Sequence, residues 1–385
     1  MKCVRVFVLA LPLLLPAPAI AAPAAEEQQT QYGIKVFNRV LGSAPGPAVV
    51  VSPYSLNAAL GMLALGAEGA TARLFRQQGI TAHHSGPSPS PAVGSKADVT
   101  LQIANSAWLR SKSKPRPSFA RAIRRAYGAK IATIDFSRPE AASRINAWVS
   151  AATQKVIPQV VDTLDPMTQF ALINTVYFKG KWASPFDKPD TKTAAFTRLE
   201  GTKHDVAMMN ATRTLSYAET PLWHAVTIPY AGNRFAMIVA TSKDASMSAA
   251  FKQEAAKPEF FQALLKQPSR ETELVLRLPR FKAEYGADLT PVLADLGLKR
   301  ALGLEANYRR ITTGPVRAIA VVHRAVVDVA EEGTEAAAAS AVIGVRGIRQ
   351  PPSITFAADH PFYFAITDTV TGTALFVGYV ADPAP

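Results

Sequence analysis

The sequence predicts an α+β fold in one domain, and three observations carry that expectation. Helical and strand-like stretches follow one another without the strand–helix beat that a doubly wound parallel sheet requires. Of the 385 residues, 48% are hydrophobic and 18% charged, a balance suited to a large buried core. No Pro/Gly/Ser-rich linker divides the middle of the chain. The richest such run, Ser85–Pro91, is short enough to be a surface loop.

The first residues read as a leader. Lys2 and Arg5 precede an apolar core, Val6–Leu15, and the small residues Ala19-Ile20-Ala21 form a cleavage site. The apolar run is shorter than the roughly 20 residues of a membrane span and is broken by Pro12, Pro16 and Pro18. Residues 1–21 are therefore expected to be a signal peptide, and 22–385 a single domain exported to the periplasm or the extracellular medium. Cys3, the only cysteine, precedes the apolar core, which argues against a lipoprotein. It leaves with the leader, so the processed chain must be stabilised by packing alone.

Val49-Val50-Val51 suits a short strand. Ser52 or Ser55 can cap the helix that follows, with Pro53 in its first turn and an apolar run from Leu56 to Leu65. Asp98–Leu109 reads as a strand and Pro117–Tyr127 as a basic helix. Ala141–Val156 has helical spacing, with Ile145, Trp148, Val149 and Ala152 on one side. Phe170–Trp182, Trp223–Thr241 and Thr272–Arg280 each read as a strand, Leu289–Leu296 as a helix, and Phe362–Val380 as strongly β.

The most informative stretch follows the β-branched run Ala325–Val329. It reads Glu331-Glu332-Gly333-Thr334-Glu335, four alanines, Ser340-Ala341-Val342. Alanine's helix propensity offers a surface helix or loop as the plain reading. At period two, however, Thr334, Ala336, Ala338, Ser340, Val342 and Gly344 share one face of an extended strand, and that face is small and uncharged. Such a segment can enter a gap between strands without burying a charge.

Conventional enzyme signals are missing: there is no G-x-S-x-G elbow, H-E-x-x-H or P-loop. Adjacent His83 and His84 chelate one metal poorly, and Gly344-Val345-Arg346-Gly347 is a weak match to a nucleic-acid clamp, so neither a metal nor a nucleic-acid partner is expected. The formal charge of +13 loses Lys2 and Arg5 with the leader. Its basic residues are scattered, and the nearest approach to a cluster is Arg121, Arg124, Arg125 and Lys130; weak polyanion binding is the partner this suggests.

Glu331–Val342 resembles the hinge of the serpins, inhibitors that trap a serine proteinase by inserting a loop into a sheet. Further blocks carry the resemblance in order along the chain. They are Ser52-Pro53-Tyr54-Ser55 with Ala58–Ala67, Asn174–Trp182, Leu278-Pro279-Arg280-Phe281, His323, Asp359–Phe364 and Leu375–Val380. The resemblance implies an exported, bacterial-type member with three β-sheets, eight or nine helices and an exposed reactive-centre loop at about 331–352. Only about thirty residues separate Thr71 from Leu101, so helix D is expected to be short or absent, and with it a heparin-type activation site.

By the same resemblance, Gly333, Thr334, Glu335, Ala336, Ala337, Ala338 and Ala339 form the hinge. Ser52, Ser55, Asn174 and His323 form a polar shutter beneath the main sheet, and Trp182, Arg280 and Glu331 a breach at its top. These residues govern opening and perform no catalysis. Strict counting puts the cleaved bond between Gly347 and Ile348; a register one shorter puts it at Arg346–Gly347, which suits a trypsin-like pocket. An elastase- or subtilisin-like target would accept Val345 or small residues. Gln350-Pro351-Pro352 then forms the stiff descending side. The implied function is single-use inhibition of a serine proteinase by a monomer without a cofactor. The alternative is a non-inhibitory carrier, chaperone or binding protein, favoured by bulky or charged hinge residues that this chain lacks.

Overall fold

The computed structural model describes residues 22–43, 46–82, 98–257, 259–267, 269–334 and 354–383. The chain opens with helix α1 (Ala22–Ser43), whose Tyr32, Val36, Phe37 and Val40 form a buried stripe. Strand β1 (Ala48–Val51) leads into α2 (Pro53–Gly66), capped by Ser52, whose Oγ accepts from the Ser55 amide. Pro53 fills the first turn of α2, and the helix is buried along nearly its whole length. Then come α3 (Gly69–Gln77), β2 (Val99–Arg110), α4 (Pro117–Tyr127), β3 (Lys130–Ile134), α5 (Glu140–Ala152) and β4 (Phe170–Lys181). Gly128, with φ 59°, ends α4 in the left-handed conformation that glycine tolerates best.

The second half carries β5 (Lys192–Thr197), β6 (Lys203–Glu219), β7 (Trp223–Pro229), β8 (Phe235–Ser242), α6 (Ser248–Ala255), α7 (Phe260–Lys266), β9 (Arg270–Pro279) and β10 (Phe281–Asp288). It closes with α8 (Thr290–Leu293), α9 (Lys299–Leu302), β11 (Ile319–Ala330), β12 (Gly333–Thr334), β13 (Ile354–Ala357), β14 (Phe362–Asp368) and β15 (Thr373–Val380). The stretch Trp223–Thr241, expected as one strand, is a hairpin: Gly232 (φ 80°) and Asn233 (φ 57°) turn the chain between β7 and β8. The expected helix Leu289–Leu296 is helical as far as Asp295 and ends there, because Leu296 and Gly297 leave helical geometry.

The strands form the α+β architecture expected. One sheet has six strands in the order β10-β11-β12-β4-β2-β3. The remaining strands form a second hydrogen-bonded array, β1-β15-β14-β8-β7-β6-β9-β13, with β5 also on β6. Two of the three expected sheets are thus joined through the 17-residue β6, which pairs with β5 and β9 and, at Ser216–Glu219, with β7. Between the sheets, Phe178 of the six-stranded sheet meets the rings of Phe235 and Phe376, and Phe281 meets those of Phe362 and Phe364, within one shared core. On the opposite face, Ile145 and Val149 of α5 cover Ile173, Tyr177, Val322 and Val326. The central strands β4 and β11 are therefore buried on both faces, where an unpartnered polar side chain is costly.

Candidate functional site

Strands β11 and β4 run parallel as direct neighbours over nine residue pairs, from Ile319↔Phe170 to Val327↔Phe178. Above that point they part. After β11 the chain turns at Glu331-Glu332, and β12 descends between them, antiparallel to both: Thr334 faces Val329 on one side and Gly180 on the other. Gly333 permits the turn, since a Cβ there would lie 2.0 Å from the Gly180 carbonyl oxygen. Thr334 is fully buried, and its hydroxyl lies 2.8 Å from that of Tyr230. The uncharged face read from period two thus points inward at its first residue. Glu335, Ala336, Ala337, Ala338, Ala339, Arg346, Gly347 and Ile348 lie outside the described residues, as do the leader, His83-His84 and the expected helix D position.

The three breach residues meet around this turn. The Trp182 indole stacks on Tyr230 at 4.6 Å and donates its N–H to the Ala330 carbonyl at 3.0 Å. The Trp182 and Phe186 amides donate to the Glu332 and Glu331 carbonyls, fixing the turn to the strand beside it. The Glu331 carboxylate is almost fully buried and accepts from Arg280 Nε at 2.8 and 3.0 Å, and from Thr191 Oγ1 at 2.6 Å. Burial alone would raise its pKa, but the bonds from Arg280 and Thr191 outweigh burial and hold the carboxyl below its ordinary value.

The four shutter residues also come together, all fully buried. Asn174 on β4 lies directly opposite His323 on β11 and Asn105 on β2, so three polar side chains cross adjacent strands in one row. The Ser52 amide at the start of α2 donates to His323 Nε2 at 3.3 Å. That nitrogen is therefore unprotonated, and Nδ1–H donates to Asn174 Oδ1 at 2.6 Å. Asn174 Nδ2 donates to Ser55 Oγ and Asn105 Oδ1, each at 2.7 Å. Ser52 Oγ donates to the Leu375 carbonyl at 2.6 Å. Burial pushes the His323 pKa down to about 3, which keeps the imidazole neutral. The His323–Asn174 bond ties the paired strands β11 and β4 together below β12.

Sequence reasoning missed Asn105, Thr191 and Tyr230. None has a local signature; only strand pairing places Asn105 beside Asn174, and only tertiary packing brings the other two to the hinge. Among the described residues, no group of three His, Cys, Asp or Glu side chains could hold a metal ion, and no helix is long and apolar enough to cross a membrane.

The six-stranded sheet thus carries a two-residue strand between β11 and β4, with a salt-bridged turn above it and a buried polar row below. The family model described as Serpin (serine protease inhibitor) matches residues 27–383, and the chain belongs to that family. It is 31% identical over 370 residues to the leukocyte elastase inhibitor of Bos taurus, covering 92% of this chain and 98% of that protein. To Iripin-1 of Ixodes ricinus it is 34% identical over 368 residues, covering 91% and 92%. The native stressed structure of Arabidopsis AtSerpin1 matches with a TM-score of 0.82 at 26% identity, covering 95% of this chain and 100% of that one. Family membership makes an inhibitor class, not an enzyme class, the frame for function.

Proposed function

We propose that this protein is a single-use inhibitor of serine proteinases, trapping the acylated enzyme by drawing its cleaved loop into the six-stranded sheet. One observation carries the reading: β12 already lies antiparallel to both β11 and β4. Carried six residues further at constant register, the strand would bring Ser340 opposite both His323 and Asn174. Carried ten residues further, it would bring Gly344 opposite Ile319 and Phe170, where both neighbouring strands begin. The small face from Thr334 to Gly344 therefore fits the gap from end to end. Its serine meets the polar row, where it can take over the hydrogen bonds that His323 and Asn174 lose as their strands part.

The driving force follows from the ladders. Insertion replaces one parallel ladder of nine pairs by two antiparallel ladders, a net gain of about ten backbone bonds. At about 1 kcal/mol each, this is on the order of 10 kcal/mol, comparable with the whole stability of an ordinary domain. The uncleaved form is then held by a kinetic barrier. Incubation with trypsin-like and elastase-like enzymes should give a covalent complex that survives boiling in detergent. Loop cleavage without an adduct by every such enzyme would refute the reading. The mass of the released fragment distinguishes Arg346–Gly347 from Gly347–Ile348. Export rests on the leader, and a mature terminus just after Ala21 or Ala22 in secreted material would test it.

A further inference from the structure

Among the described residues, strand β13 is held along one edge only. It ends the strand order of its array and pairs with β9 in four parallel pairs, from Ile354↔Leu274 to Ala357↔Arg277. Just beyond it, the Ala358 amide donates to the Arg277 carbonyl at 2.9 Å. In sequence β13 follows residues 335–353, so it ties the far end of that stretch into the fold.

The fully buried Phe356 of β13 lies on a histidine. His224, on β7, is 8% exposed, and the two ring centroids are 4.7 Å apart. Its Nε2 is buried without a hydrogen-bond partner among the described residues. An unpaired polar atom in such a place is costly, and an apolar side chain would fill the space without it. Packing alone does not account for this imidazole.

The groups around it decide what a proton would do there. On β6, the Tyr217 ring lies 6.1 Å away, and Glu219 pairs with His224 across the ladder. Glu219 is already engaged by Lys243 at 2.7 Å, and by the Tyr217 hydroxyl and Arg270, both at 3.3 Å. Ahead of β14, Asp359 and the buried His360 are joined at 2.8 Å, and His360 Nε2 donates to the Ser242 carbonyl at 2.9 Å. Arg277 of β9 lies near Asp359. Burial, reinforced by His360 and Lys243, pushes the His224 pKa down to about 4 against the weaker pull of Glu219 and Asp359. The imidazole is therefore neutral while covered and returns to an ordinary value near 6.5 once hydrated.

Of the strands around it, β6 and β8 hold β7 by ladders of four and seven pairs, whereas β13 is fixed only to β9. We propose that His224 makes the anchoring of β13 acid-sensitive: when the imidazole gains a proton, Phe356 lifts off, water reaches the ring, and β13 leaves β9 while the rest of the array stays paired. Because the covered form has the lower pKa, it is favoured fully above about 6.5 and loses ground as pH falls toward 4. Acidification thereby frees the far end of residues 335–353. The release can be observed whether or not the protein traps proteinases.

The test is hydrogen exchange read by mass spectrometry on the processed full chain at pH 7.5 and 5.0, corrected for intrinsic rates. From the covered and open values, protection of residues 354–358 should fall about thirtyfold. Strand β3, also paired along a single edge but without a histidine, should change less than about threefold. In His224→Phe the fall at 354–358 should shrink to the level seen at β3. If that variant misfolds, His224→Gln replaces it. An undiminished fall in the variant, an equal fall at β3, or unchanged protection in the parent would overturn the proposal.

Discussion

Thr334→Arg tests the insertion face where the structure is best defined. Thr334 is fully buried between two strands, its hydroxyl shared with the buried Tyr230, which stacks on Trp182. Among the described residues, no carboxylate forms a bond or ion pair with Thr334 or Tyr230 that could receive a guanidinium. An unpaired charge left at such a site costs about 3–5 kcal/mol. In the uncleaved protein the two-residue β12 can swing out and avoid most of that cost, so the melting temperature should change little. In the inserted form the position cannot be avoided. If insertion slows by about 4 kcal/mol, its rate falls roughly a thousandfold, and deacylation of the bound proteinase should win. The assay titrates residual proteinase activity against inhibitor and resolves products in detergent gels. Cleaved inhibitor should replace the covalent complex, and the stoichiometry should rise at least tenfold. An unchanged stoichiometry would show that Thr334 does not face inward during trapping.

Arg280→Ala leaves Glu331 buried with Thr191 as its remaining side-chain partner among the described residues; because Arg280 is half exposed, the expected loss is about 1–3 kcal/mol, less than for a fully buried pair. Since the folded-state pKa of Glu331 is lowered, the pair stabilises above the ordinary carboxylate pKa and its contribution fades as pH falls through the folded value. Urea melts should therefore show a larger deficit at neutral than at acid pH, and a pH-independent deficit would contradict the pairing. His323 works in the opposite chemical sense but the same direction: its pKa falls from 6.5 to about 3 on burial, so stability is complete above about 6.5 and is lost as pH drops toward 3. At pH 5 that loss is about 2 kcal/mol, at about 1.36 kcal/mol per unit, and His323→Gln should lose correspondingly less between pH 7.5 and 5. Equal pH dependence in parent and variant would remove His323 from the account.

Much of this was legible in residue order where local chemistry dictates structure. Pro117 and Gly128 fix the ends of α4, and Ser52 with Pro53 starts α2. The side of Thr334 that turns inward followed from period two alone. Other features left no such trace. Helix α1 begins at Ala22, directly after the stretch expected to be a leader, so its first turn reads like part of that stretch. Long β6 alternates buried residues with Asp205, Asn210 and Arg213, and the partners that hold it, β5 and β9, lie on either side in sequence. Asn105 reads as an ordinary strand residue until β2 pairs with β4 and sets it against Asn174. Basic residues that look scattered become one face only when Arg116 bonds to the backbone at Arg309 and Ile311, nearly two hundred residues away.

The most direct measurement is calorimetry on the protein before and after its loop is nicked by a proteinase that is not trapped. If the intact molecule waits in a higher-energy state by about 10 kcal/mol, the nicked form should melt at least ~10 °C higher, the shift expected for a chain of this length. Superimposable melting curves would contradict the claim that the six-stranded sheet has room for, and gains from, one more strand.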